Sequence, residues 1–593
     1  MNNMKKLLAL LLALCSIVCL LSACGGDGET ATEPQGTQGQ SGNNEQSGGN
    51  TTTDTGFKTG VGGDKETGNY GGHLNARSAG RPTGIDPLKQ TGAWKYQWTT
   101  AVYEPFLTRD ADNQIQPCVC DYVMETYTDE NGQLYHDLKI WPREGYIFSR
   151  GYGQVDMDDI VASWERGLTQ YANIKKYVKP NITLAQREPA DDAVKAKDPS
   201  VEEVFHITFK YHEKNLYYFA AYRTWWPVMP KEICEKYATS YIIDQVEDAV
   251  GTGPYIFTDF QDSIQVTLTK RDDYVPVDNS AYTGFAGTKY GYMDSMTFWY
   301  NSTDASAALA VLSGDYDCTE VIPTEYSQMA ADAGITLSTL TSDQRTWIYF
   351  NTMGTNNLVA KYPSLRKAIM ASIDYPSFLD VICDSSQILE GDNILMDPLY
   401  DTTYLWKEAD YYGEFDQAVV DKYMAMAEAE GYSGEPIQLV YHSGRTDIPT
   451  LLCDALENGG INYQLTTMES TTYSAFIGDP SNNWDLYYSW GVTATTPALL
   501  QDSLVETNYK SARKDEIREE MYTLEPTSDE YLALWEEWSK LWVEECQIGY
   551  LSAIDWWWWH PETLHINDDA ENGNNARYMY NAYWDDPQNH PKK

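Results

Sequence analysis

Cationic side chains are scarce in this chain: 42 Lys and Arg stand against 87 Asp and Glu in 593 residues, a formal charge of −45. A surface of that sign repels phosphate backbones and anionic lipid, which argues against nucleic-acid binding and against charge-driven membrane adhesion. Histidine is nearly as sparse, with 8 residues. The pair nearest to metal spacing, His560 and His565, follows a Pro-interrupted path that suits a surface loop better than a metal site. Gly-x-Ser-x-Gly, His-Glu-x-x-His, P-loop and dinucleotide fingerprints are all missing, so nothing marks acyl transfer, zinc hydrolysis or nucleotide chemistry. We therefore expect no catalytic residue, no metal and no cofactor. So many acids must place some carboxylates close together, and an extracellular hydrolase stays as the alternative from another functional class.

Beyond residue 21 no apolar run approaches the ~20 residues of a membrane-spanning helix. The one apolar run, Leu7 to Leu21 behind Lys5 and Lys6, is too short to span and has the form of a secretory signal. It ends in Leu21-Ser22-Ala23-Cys24 with Gly25 next, which resembles a bacterial lipobox. That motif implies a signal peptide over residues 1–23 and a diacylglycerol anchor on Cys24, hence an exported protein held to the membrane by lipid alone. Residues 24–69 are mostly Gly, Ser, Thr, Asn, Gln and Glu; they cannot bury a core and read as a disordered tether with a reach of about 35 to 40 Å. Of 10 cysteines, Cys15 and Cys19 belong to the signal and Cys24 to the anchor. The seven others, Cys118, Cys120, Cys234, Cys318, Cys383, Cys453 and Cys546, are scattered. We read them chiefly as small buried apolar residues; their spacing assigns no disulfide.

The remaining length implies three or four structural units at a prior of about 150 residues each. Val250-Gly251-Thr252-Gly253-Pro254-Tyr255 reads as a tight turn entering an alternating run from Tyr255 to Leu268. Asp156 is an N-cap for a helix that places Ile160, Val161, Trp164 and Leu168 on one face. Farther on, a helix from Gln417 to Glu430 stops at Gly431. A strand at Ile437–Tyr441, a helix at Ile448–Leu456 and a strand at Ile461–Leu465 form a βαβ unit with parallel pairing. A strand from Trp484 to Ser489 follows, and Ile548 to Trp559 reads as a final strand. Ligands of open α/β sheets sit at the carboxyl ends of such strands.

Gly251-Thr252-Gly253-Pro254-Tyr255 with Arg271-Asp272-Asp273-Tyr274 resembles the signature of extracellular solute-binding proteins of the oligopeptide, dipeptide and nickel class. Tyr103-Glu104-Pro105, Trp225-Trp226-Pro227, Ser313-Gly314-Asp315-Tyr316-Asp317 and Ala368-Ile369 through Ile373-Asp374 fit the family in the expected order. The resemblance implies an α/β, type II periplasmic-binding-protein-like fold of two lobes with an additional third domain. Domain I would comprise 70–104, 247–341 and 547–593, domain II 105–246, and domain III, the second lobe, 342–546. It further implies a helix begun at Tyr103-Glu104-Pro105, a monomer, an ABC permease with its ATPase as partners, and capture of peptides or another small solute by lobe closure.

In peptide-binding relatives a Trp and, three residues on, an Asp follow the strand, and the Asp pairs with the ligand ammonium. Here Trp490 matches but the Asp position holds Thr493, a neutral hydroxyl that cannot make that charge-assisted bond. An oligosaccharide or other neutral solute thus stands beside peptide, and Asp485 and Asp555 are the other acids available for the ammonium role. The expected ligand contacts are Trp490, Thr493, Tyr488, Asn351, Trp225 and Trp556. Flat rings among the 19 Trp and 45 Tyr suit sugar faces and peptide side chains alike.

Overall fold

The computed structural model describes residues 68–590 apart from 79, 89–94, 111–113, 221–225, 239–241, 302, 321, 341–344, 383–397, 443–446, 491–495, 499, 502–510, 554–555 and 567–577. Contacts divide the chain into residues 1–56 and 57–593, and all described residues lie in the second unit. The signal segment, Cys24, the tether up to residue 67, Trp225, Cys383, Thr493 and Asp555 fall outside the described residues.

Two apolar cores organise this unit. The first draws on residues 74–318 and again on 558–584; the second runs from 308 to 559. Two four-stranded sheets serve the first core. One has the spatial order His73–Ser78, Ser295–Tyr300, Gln265–Lys270, Tyr255–Gln261, with the first pair parallel and the others antiparallel. The other is antiparallel throughout, in the order Cys120–Thr128, Leu134–Pro142, Glu203–Lys210, Ile182–Pro189. The helix Met157–Gln170 packs on it for the reasons its sequence gives. Asp156 accepts from the amides of Asp158 and Asp159, and the Asp159 carboxylate accepts from the Asp156 amide, a capping box that fixes the first turn. Ile160 and Trp164 are buried on the apolar face, with Trp164 stacked on Trp226 at 4.6 Å and edge-on to Phe205 at 5.7 Å.

Buried ion pairs join these two halves of the first lobe. Arg166 Nη2 meets Asp86 Oδ2 at 2.6 Å with both side chains at most 2% exposed. Lys289 Nζ meets Glu104 Oε1 at 2.7 Å, and Glu104 Oε2 accepts from Thr252 Oγ1, also at 2.7 Å. The glycines that flank Thr252 are required by contact, not by a left-handed backbone. A Cβ on Gly251 would lie 2.0 Å from the carbonyl oxygen of Val102, and one on Gly253 would lie 2.5 Å from that of Ala101. The turn is thus pressed against the end of the helix Tyr96–Val102, and the Arg271 guanidinium closes it by donating to the carbonyls of Ile147, Thr252 and Gly253.

The second core surrounds a five-stranded mixed sheet in the order Tyr463–Met468, Ile437–His442, Leu486–Trp490, Arg345–Phe350, Ile548–Ala553. Ile437–His442 and Tyr463–Met468 pair in parallel across the helix Asp447–Asn458, as the βαβ reading expects, and Gly431 ends the helix Gln417–Glu430 at φ +111°. Six cysteines, 118, 120, 234, 318, 453 and 546, are buried and free of disulfides.

The turn at Gly251–Pro254 leads into a hairpin, Tyr255–Gln261 with Gln265–Lys270, whose own turn places Ser263 at φ 60°, a conformation no Gly or Asn announces. Two expectations are corrected. Tyr103-Glu104-Pro105 follows the helix Tyr96–Val102 instead of starting one. The final strand is two strands: Ile548–Ala553 pairs with Arg345–Phe350 in the second sheet, while Trp556–Pro561 pairs antiparallel with Ile335–Leu340. The chain therefore passes twice, in opposite directions, between the two cores. Along the second passage Trp558 enters the first core and the next residue, Trp559, the second, as alternation along a strand dictates.

The candidate ligand seam between the lobes

The strand Leu486–Trp490 lies inside the second sheet, parallel to Ile437–His442 and antiparallel to Arg345–Phe350. Its register sets Trp490 opposite Thr346, which on its other side pairs with Ser552. At that edge the chain crosses to the ribbon where Trp556 pairs with Leu340. The backbone thus brings the positions of Trp490 and Trp556 to one end of the sheet, the end at which the lobes join. Tyr488 sits two residues back, opposite Ile348, and is buried against Tyr441.

Asn351 is not brought to that corner. It follows the far end of Arg345–Phe350, about 17 Å along the strand from Thr346 at about 3.3 Å per residue. Its amide nitrogen donates to the carbonyls of Pro480 and Trp484, and its oxygen accepts from the Gly354 amide, so the side chain is committed to a local loop. Asp485 is likewise committed: its carboxylate accepts from the amides of Leu358 at 2.6 Å and Gln438 at 2.8 Å. Burial raises its pKa even against those bonds. It is not free to take a ligand ammonium. His560 and His565 have separate partners, Ser338 and Asp585, and among the described residues no group of three or more His, Cys, Asp or Glu is placed to hold a metal.

Thr496, the first described residue beyond 491–495, meets the first lobe. Its hydroxyl donates to Glu213 Oε1, and the Tyr531 hydroxyl donates to Glu213 Oε2 at 3.3 Å. The Glu213 amide donates to the Tyr522 carbonyl at 3.1 Å, and the His212 ring stacks on the Tyr522 ring at 4.5 Å. His212 is also the N-cap of the helix Glu213–Phe219, its Nδ1 accepting from the Lys214 amide, so the first lobe presents a fixed turn to the second. Loss of hydration pushes the Glu213 carboxyl up to about 7, against the opposing hydrogen bonds from Thr496 and Tyr531. A surface pair, Arg81 with Glu469 at 3.5 Å, adds a second, solvent-screened contact. No sequence pattern announces Glu213.

A separate cavity of about 10 Å³ lies behind the central turn, lined by Glu104, Tyr146, Thr252, Arg271, Asn279 and Lys289. That volume leaves room for about one water and is far too small for a solute of peptide or sugar size.

Two lobes joined by paired crossing strands, one of them carrying an extra sheet, define the type II periplasmic-binding-protein fold. Residues 143–511 match the model of the bacterial extracellular solute-binding proteins, family 5 middle region, and the chain belongs to that family. Solved structures agree on the fold. The ABC transporter-associated periplasmic binding protein DppA of Helicobacter pylori, in complex with the peptide STSA, is similar at a TM-score of 0.64 and 15% identity, covering 87% of this chain and 98% of its own. The oligopeptide-binding protein AppA of Bacillus subtilis, in complex with a nonapeptide, gives 0.62 and 17%, covering 87% and 99%. NikA of Staphylococcus aureus, in complex with Ni(L-His)2, gives 0.63 and 14%, covering 86% and 100%.

Proposed function

We propose that this chain is the substrate-binding lipoprotein of an ABC importer, anchored outside the cell through Cys24, which captures peptides by lobe closure and delivers them to a permease and its ATPase. The observation that carries the reading is the seam: the carboxyl end of the central strand Leu486–Trp490 lies at the end of the sheet where two antiparallel passages join the lobes, the placement a hinged capture site needs. Domain I is proposed as 70–104, 247–341 and 547–593, domain II as 105–246 and domain III as 342–546; the first core takes in residues of domains I and II, and the second takes in domain III together with Ile548, Tyr550 and Leu551 of the closing segment. Trp490, Thr493, Tyr488 and Trp556 are the proposed ligand contacts, with Trp225 as a platform from the first lobe. The relatives named above that were solved with peptides support a peptide cargo. The protein acts as a monomer and retains its solute unchanged.

Position 493 favours a second reading, an oligosaccharide or other neutral solute, because a threonine there offers no charge to a ligand ammonium. Native mass spectrometry of the soluble chain from residue 25, purified from its own organism, separates the two. A ladder of peptide masses released on denaturation supports peptide import; hexose-spaced masses replace it with the second reading; turnover of any released solute by the purified protein refutes both. Trp490→Ala is expected to weaken binding of the identified solute at least tenfold, and unchanged affinity removes Trp490 from the site.

A further inference from the structure

We propose that Glu213 is a positioning residue that clasps the two lobes, setting how firmly they close on a captured solute and making that closure stronger in mild acid. The inference rests on the closure reading above. The geometry carries it: one turn of the first lobe, His212-Glu213, engages the second lobe by a ring stack, a backbone hydrogen bond and two hydroxyl bonds, all at Thr496, Tyr522 and Tyr531. These partners come from two separate stretches of the second core, near residue 498 and over 522–531, so the turn grips a composite surface that exists only when that lobe is folded.

The chemistry of the grip is unusual for a carboxylate. Among the described residues Glu213 makes no salt bridge; its two oxygens meet two hydroxyls. Its charged neighbours are Lys214 and Arg109, which both favour the ionised form, but Lys214 Nζ lies over the Tyr177 ring at 3.5 Å and Arg109 Nε donates to the Ala220 carbonyl. The other groups facing the turn are His212 itself and the phenols of Tyr211, Tyr522 and Tyr531, with Glu525 near Tyr211. With the lobes in contact, burial outweighs the bonds these groups supply and holds the carboxyl at about 7, above its ordinary 4.5, the value to which a hydrated carboxyl in parted lobes returns. The sign follows. An acid whose pKa is raised in the closed form binds its proton more tightly there, so closure is strongest below about 4.5 and weakens as pH rises, with the change complete above about 7. Within that window the closed-to-open ratio changes by up to about tenfold per pH unit.

Small-angle X-ray scattering of the soluble chain at pH 5.5 and 8.5, stripped of cargo by unfolding and refolding and then with tetra-alanine as probe, tests the clasp. For the wild type the expected result is a smaller radius of gyration at pH 5.5 than at 8.5 without the probe. Glu213→Gln, neutral at every pH, is expected to be as compact at pH 8.5 as at 5.5; Glu213→Ala is expected to be the more open at both. Far-ultraviolet circular dichroism identifies any variant that has not refolded, and Glu213→Gln then decides alone through its pH profile. A wild-type radius that is independent of pH, or that Glu213→Gln and Glu213→Ala both reproduce at each pH, overturns the clasp. If the cargo-free radius depends neither on pH nor on residue 213 while the probe or the native cargo still compacts every form, closure stands and only the clasp falls. If neither cargo nor pH changes the radius of any form, closure itself falls.

Discussion

Removing the carboxylate of Asp86 should reveal how much of the first lobe hangs on one buried pair. Asp86 Oδ1 accepts from the Leu88 amide at 3.0 Å, and Oδ2 accepts from Arg166 Nη2 at 2.6 Å and from the Ile243 amide at 3.2 Å. Both partners are at most 2% exposed, and Arg166 Nε has no hydrogen-bond partner, so the guanidinium has little to fall back on. Asp86→Asn keeps the shape and one acceptor but turns an NH2 toward the guanidinium and the Ile243 amide. Stranding a buried charge in this way costs about 3–5 kcal/mol, and Arg166→Met, which strands the carboxylate, should cost about as much. The double variant carries no buried charge and only one unsatisfied amide, a loss of about 1–3 kcal/mol. The coupling in the cycle should therefore exceed about 3 kcal/mol, of the sign that makes the double variant milder than the sum. Urea unfolding followed by circular dichroism and tryptophan fluorescence measures all four proteins. Single variants that lose less than about 1 kcal/mol, or two losses that simply add, would refute the argument that this pair joins the two sheets of the lobe.

Other outcomes follow from the same contacts. Gly251→Ala forces a Cβ against the Val102 carbonyl at 2.0 Å, and should lower unfolding stability by about 1–3 kcal/mol or more, because neither backbone can yield cheaply. Asn351→Ala removes three local hydrogen bonds and should cost about 2–3 kcal/mol in urea titrations while leaving solute affinity unchanged. Burial pushes the His136 imidazole down to about 4, so the native state holds it neutral beside Thr126 and Tyr211. The stability it contributes is intact above the usual 6.5 and drains as pH falls toward 4, by about 3 kcal/mol in all. His136→Gln should flatten that acid limb in stability measured against pH. Arg81→Ala removes an exposed, solvent-screened pair and should leave the urea unfolding midpoint unchanged.

Local chemistry was readable where it was complete in itself. Asp156 with its acidic first turn, Trp164 on the apolar face and Gly431 at a helix end each state their role within a few residues, and the structure follows them. The place of the hairpin turn at Ser263 was not, because its left-handed residue is one that seldom takes that conformation. Nor was the break between Ala553 and Trp556, where a row of aromatics gives no turn signal yet the two halves pair with different strands. Asn351 shows the opposite failure: an Asn at a strand end looks like a ligand donor, but such side chains often bond their own loop. Glu213 and Thr496 are 283 positions apart, and only the docking of one lobe on the other makes them neighbours.

The twofold crossing has a consequence for how the chain becomes a protein. The second core is nearly continuous in sequence, whereas the first is unfinished until Trp558 to Trp584 arrive. Trp584 Nε1 donates to the His73 carbonyl, and the His73 amide donates to the carbonyl of His590 at 2.6 Å, so the opening strand of the first lobe is fastened by residues more than 500 positions later. During synthesis or secretion, N-terminus first, the earlier segment must wait with an edge exposed while the later lobe folds as an inserted unit. Such an order rewards holding chaperones on the outer side of the membrane and makes truncations near residue 584 far more damaging than their length suggests.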